Sequence, residues 1–208
     1  MTARLSLKLA ARPGDEERWR VFLAIDLPDP VRAALQGPVD DLRPLGDLVR
    51  VNALDRVHLT LHFLGHQPVE LIQRLQPRLA QAVAGQQGLA LAARGVGAFP
   101  GLGRAQVLWA GIVGEALPRL VSLQRELGET LGQAGIALEA RERFRPHLTL
   151  ARVRRPIRGA QRKLLTEWHA RWKDAPFGEL PVLEINLMRS QLGAGPPRYS
   201  RIAAFGLK

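Results

Sequence analysis

Apolar and polar positions along the chain follow two periods, and the switches between them outline its elements. Alternating or continuous apolar runs at 21–25, 57–64, 89–96, 107–112 and 182–188 predict strands, and a last run at 199–205 predicts a closing strand. Between them, residues 29–42, 69–84, 117–133 and 158–172 have the spacing of amphipathic helices. Pro28, Pro30 and Pro118 stand near helix starts, and Gly65, Gly85 and Gly135 where elements should end.

The order of elements repeats. The tetrapeptide His58-Leu59-Thr60-Leu61 returns as His147-Leu148-Thr149-Leu150, and a helix-like segment begins 11 residues beyond each histidine. The unit strand, helix, His-bearing strand, helix, strand is therefore used twice, over about residues 20–100 and 105–190. No long Ser- or Gly-rich linker separates the copies, so residues 18–208 are expected to form one domain of two packed lobes sharing a cleft. Residues 1–17 are expected to be a loose extension, since they lack the continuous apolar segment of a signal peptide.

Composition narrows the chemistry. The 208 residues contain no Cys, which excludes disulfides, thiolate metal sites and cysteine nucleophiles and fits a cytoplasmic location. The apolar runs are far shorter than the ~20 residues that span a bilayer, so no membrane association is expected. A net charge of +11 favours a polyanionic partner, and 26 of the 30 basic residues are Arg. Eight of them, Arg141, Arg143, Arg145, Arg152, Arg154, Arg155, Arg158 and Arg162, crowd around the second tetrapeptide.

On a strand, alternation puts His58 and Thr60 on one face with Leu59 and Leu61 on the other, and likewise His147 and Thr149 against Leu148 and Leu150. The leucines hold each strand to the core. Two imidazole–hydroxyl pairs facing one cleft suit phosphodiester cleavage, which needs a base for the attacking oxygen and an acid for the leaving one. Histidine, with a pKa near ~6.5, serves either role at neutral pH. The threonine hydroxyls are donors for the non-bridging oxygens, where transition-state charge is held. A single strand histidine is usually structural; duplication of the whole motif favours catalysis. A metal site is a competing reading, because His58, His62 and His66 are spaced at four. Strand-like alternation over 57–64, and Ala151 at the place of His62 in the second copy, count against it. His169 reads as a helix-surface residue.

With Val21-Phe22-Leu23-Ala24-Ile25-Asp26, the stretch from Phe144 to Arg152, and Ser190-Gln191-Leu192 followed by Gly195-Pro196-Pro197-Arg198-Tyr199, the paired motifs resemble the bacterial and archaeal RNA 2′,3′-cyclic phosphodiesterases. These belong to the two-histidine phosphoesterase superfamily and have also been called 2′-5′ RNA ligases. The resemblance spans about residues 20–207 and implies an α+β fold of two antiparallel sheets flanking the active cleft. It implies hydrolysis of a terminal 2′,3′-cyclic phosphate to a 2′-phosphomonoester, with no metal and no cofactor. Carried onto this chain, His58 corresponds to the proton donor, His147 to the proton acceptor, and Thr60 and Thr149 to the phosphate-binding residues. The expected partner is RNA with a cyclic-phosphate end, such as a tRNA fragment; no obligate protein partner is evident. Arg152, Arg154, Arg155 and Arg158 are candidates for RNA backbone contacts, with Phe144 and Tyr199 for base stacking; Phe22 reads rather as core. Ligation by the reverse transesterification, and RNA binding without catalysis, are the alternative functions.

Overall fold

A computed structural model describes residues 17–138, 144–193 and 195–208. The expectation for residues 1–17 thus lies outside the described residues except at Glu17, as do Arg141 and Arg143. The strands are β1 (Arg18–Ile25), β2 (Val49–Val51), β3 (Leu59–Pro68), β4 (Leu89–Phe99), β5 (Val107–Val113), β6 (His147–Val153), β7 (Pro176–Val182), β8 (Glu184–Gln191) and β9 (Arg198–Gly206). The helices are α1 (Asp29–Ala34), α2 (Gln36–Asp40), α3 (Val69–Val83), α4 (Leu117–Gln133) and α5 (Gly159–Trp172).

All strand pairings are antiparallel, in the order β7-β4-β5-β6-β3-β1-β8-β9, with β2 also on β6. The expected two sheets are therefore one continuous nine-stranded sheet. Its halves meet at a single rung, Leu59 against Leu148, the central leucines of the two motifs. Beyond that rung they part: β6 continues along β2, and β3 along β1. Strands are also exchanged between the repeats in sequence, since β4 pairs with β5 and β8 with β1.

Leu59, Leu61, Leu148 and Leu150 are buried in one core with Leu75 and Leu79 of α3, Leu123 and Leu127 of α4, and Leu165 of α5. The core therefore holds both motif strands by their leucines and leaves the other face for His and Thr.

Two expectations differ from the structure. The helix expected over 29–42 is broken at Leu35 into α1 and α2, because Pro38, in the first turn of α2, supplies no N–H and crowds the preceding turn. The Pro38 carbonyl instead accepts from Nε1 of Trp168 at 2.9 Å. The strand expected over 182–188 is split at Leu183: β7 ends at Val182 beside β4, and β8 begins at Glu184 between β1 and β9. Strand β7, with Pro176, Gly178 and Pro181, lies before that predicted run except at Val182; proline is tolerated there because β7 is an edge strand, paired only with β4.

Candidate active site

Extending the Leu59–Leu148 rung one residue either way sets His58 opposite Thr149 and Thr60 opposite His147. The two histidines thus stand on adjacent strands, each one residue from the rung and on opposite sides of it along the strands.

Each ring is held in the same way. Nδ1 of His58 lies 3.0 Å from the Arg56 carbonyl, and Nδ1 of His147 lies 2.7 Å from the Arg145 carbonyl. A carbonyl oxygen only accepts, so Nδ1 carries a hydrogen in both and Nε2 is the nitrogen that gains and loses a proton. Aromatic rings fix the planes: Phe22 stacks on His58 at 4.8 Å and Tyr199 meets its edge at 5.3 Å. On the other side Phe99 meets His147 edge-on at 5.0 Å. Arg32 steadies the approach to His58 by donating from Nη1 to the Leu54 carbonyl at 2.8 Å and to that of Val57 at 3.3 Å. Burial pushes the His58 imidazole below the ordinary value of 6.5, an effect opposed by the Arg56 carbonyl and the Asp26 charge and reinforced by Arg32.

Where the halves part, a cavity of about 880 Å³ opens. His58, Thr60, Phe63 and Phe22 line it from the β1/β3 side, and Thr149, Arg152, Arg154, Arg50 and Asn52 from the β2/β6 side. Tyr199 lines it as well. His147 is not among its lining residues; it stands two residues before Thr149 on the same face of β6.

The arginines reach this face through a register slip. Trp109 pairs with Thr149 but Leu108 with Ala151, so Leu150 is an extra residue on β6. The slip reverses the alternation: Leu150 and Ala151 are both buried, and Arg152 and Arg154 line the cavity with Thr149. The first motif slips at the matching place, with Ala24 against Thr60 and Leu23 against His62. Phe63 thereby occupies the position equivalent to Arg152 and lines the same cavity. One wall of the cleft is aromatic, the other cationic.

The remaining candidates fall elsewhere. Arg155 forms an ion pair with Asp47 at 3.0 Å, and neither it nor Arg158 lines the cavity. Phe144 packs against the apolar core. His62 and His66 lie on β3, not on one helical face, and Nε2 of His62 meets the Gln124 carbonyl on α4 at 2.7 Å, which separates it from His58. Among the described residues no group of three or more His, Asp or Glu is placed to hold a metal ion.

Sequence reading missed Arg20, Arg50, Asn52 and Arg56, all on the cavity wall. Arg20 alternates with Phe22 on β1 and was recoverable from period two. Arg50 and Asn52 depend on β2, three residues long and set only by its pairing with β6. Asn52 secures that pairing by donating from Nδ2 to the Thr149 carbonyl at 2.8 Å.

Comparisons with known proteins agree with this geometry. The family profile of the 2'-5' RNA ligase superfamily matches residues 28–194. A curated RNA 2',3'-cyclic phosphodiesterase of Archaeoglobus fulgidus is 28% identical over 186 residues, covering 89% of this chain and 99% of that one. The protein of the same name from Thermus thermophilus is 33% identical over 195 residues, covering 91% and 90%. The crystal structure of Escherichia coli LigT complexed with 3'-AMP superposes with a TM-score of 0.70 at 25% identity, covering 92% of this chain and 99% of that one. With most of its length matched by that profile, and with a sheet that sets two His-x-Thr motifs side by side, the chain belongs to the 2'-5' RNA ligase superfamily.

Proposed function

We propose that this protein hydrolyses RNA ends bearing a 2′,3′-cyclic phosphate to 2′-phosphomonoesters, on a bilobal scaffold whose two repeats each supply one histidine. The observation that supports the reading is the single Leu59–Leu148 rung, which sets the two His-x-Thr motifs on adjacent strands, with His58, Thr60 and Thr149 lining one cavity. His147 takes a proton from water as its oxygen attacks phosphorus, the P–O3′ bond breaks, and His58 gives its proton to O3′. Thr60 and Thr149 donate to the non-bridging oxygens. Arg152 and Arg154 receive the backbone on the cationic wall, and Tyr199 closes the cleft beside His58. Arg155 and Arg158 stand outside the cavity, where only longer RNA, such as a tRNA fragment, reaches them. The reading places the reaction in the cytoplasm; no helix among the described residues is long and apolar enough to cross a membrane.

Product analysis on a short RNA with a 2′,3′-cyclic end tests the proposal. A 2′-phosphomonoester is expected; a 3′-phosphomonoester or unchanged substrate would overturn it. Adding a 5′-hydroxyl oligonucleotide distinguishes hydrolysis from ligation, in which the 5′-hydroxyl takes the place of water, gives its proton to His147 and displaces O3′.

The same assay in EDTA should lose no activity, because the two imidazoles supply both proton transfers and the threonines the phosphate contacts. Loss on chelation with rescue by a divalent ion would instead revive a metal reading.

The pH profile has a definite sign. As proton donor, His58 reacts only in its protonated form, so kcat/KM should fall as pH rises through a pKa below 6.5. A bound diester anion favours imidazolium, so the alkaline fall in kcat should lie at higher pH than that in kcat/KM. Coincident alkaline limbs above pH 6.5 would refute the donor assignment.

A further inference from the structure

The cationic wall holds a conflict that the two histidines do not explain. Arg50 on β2 is the register partner of Arg152 on β6, so two guanidinium side chains occupy directly opposite positions on one sheet face. Like charges placed so are destabilising. Arg56 and Arg154 add to the same ground, and among the described residues no acidic one lines the main cavity or the adjoining arm of about 400 Å³. Of the nearby carboxylates, Asp47 pairs with Arg155, and Asp55, 80% exposed at its side chain, makes a long ion pair with Nε of Arg56 at 3.8 Å without lining either space. The arm shares Arg50, Arg56, Arg154 and Tyr199 with the main cavity, so the two are continuous. Four guanidinium groups on walls that carry no carboxylate, with only the exposed Asp55 beside one of them, call for an anion, and their planar forks suit phosphate.

We infer that Arg50, Arg56 and Arg154 form a second phosphate site, which binds the 5′-phosphate of the nucleotide whose cyclic end lies between His58 and His147. Arg152 stands three residues beyond Thr149, about 10 Å along an extended strand, and bridges the two sites within the span of one nucleotide. The site makes the enzyme prefer ends whose last nucleoside carries phosphate on both sides. It also sets direction, with the chain leaving over the β2/β6 wall. This rests on the proposed reading of the cleft as a phosphodiester site, so the test uses binding, which can fail independently of turnover.

Calorimetric affinities of adenosine 2′,5′-bisphosphate and adenosine 2′-monophosphate for the full chain measure the second phosphate directly. The bisphosphate is expected to bind at least ~10-fold tighter, with the ratio shrinking as salt rises, since phosphate contacts release counterions. Arg50→Gln together with Arg154→Gln should bring the ratio close to one; both residues are exposed, and thermal melting checks their folding. Equal affinities in the unsubstituted protein overturn the second site. A preference that survives the double substitution in a folded protein overturns its assignment to these arginines. A preference present without any cyclic-phosphate hydrolysis sustains the site and overturns the reaction instead.

Discussion

Alanine at His58 or at His147 is expected to lower hydrolysis of a cyclic-phosphate oligonucleotide by about 10²-fold or more, the scale of a lost general acid or base. Both rings have Nδ1 held by the carbonyl two residues earlier, so Nε2 is the working nitrogen in each and neither ring can stand in for the other. The double substitution should lose far less than the product of the two single losses, because acid and base act in one transition state. Steady-state kcat/KM for the three variants, with folding checked by circular dichroism, settles the matter. Near-wild-type turnover in either single variant would sink the assignment.

Gly95→Ala is expected to destabilise the fold by about 3 kcal/mol or more, combining left-handed strain with backbone overpacking. At roughly 2–4 °C per kcal/mol for a chain of this size, the melting temperature should fall by roughly 6–12 °C. Gly95 has φ +69°, and a Cβ there would stand 2.4 Å from the Lys173 carbonyl oxygen. Backbone on both sides prevents relief: Gly95 N–H donates to the Ala175 carbonyl at 2.8 Å, and the residue is the extra one where β4 slips against β5. Gly46→Ala is the control, since Gly46 has φ +57° but nothing within 4 Å of the added carbon. Equal shifts in the two variants would show that conformation alone, not the approach of the α5–β7 connection, governs this site.

The chemistry of the cleft floor is legible in the amino-acid pattern, because a repeated motif needs only strand alternation to place its side chains. His58, Thr60, His147 and Thr149 share a face for the same local reason that their leucines are buried. Helix α4 has the same limits in sequence and structure, since its apolar spacing is uninterrupted from Leu117 to Gln133. Expectation and structure diverge where pairing outweighs pattern. The run over 182–188 is nearly continuous in hydrophobicity, yet the strand breaks at Leu183 and its two parts pair with different neighbours, and the repeats exchange strands so that β4 and β8 leave the units to which sequence order assigns them.

Residue pattern alone establishes that two His-Thr pairs exist, that each lies on a strand with a leucine-covered back, and that the chain carries excess positive charge. Which charges meet those pairs is settled only by the folded chain. Alternation carries phase along a strand only while the register is unbroken, and the extra residue at Leu150 exists solely because β6 must match β5. That slip turns Arg152 and Arg154 onto the cavity face that carries Thr149, while Arg155, one residue further, pairs with Asp47 outside the cavity. Pairing of β2 with β6 adds Arg50 from a three-residue strand too short to be seen in any local pattern. Local periodicity thus specifies the two His-Thr pairs, and the arginine-lined wall beside them arises from contacts between distant segments.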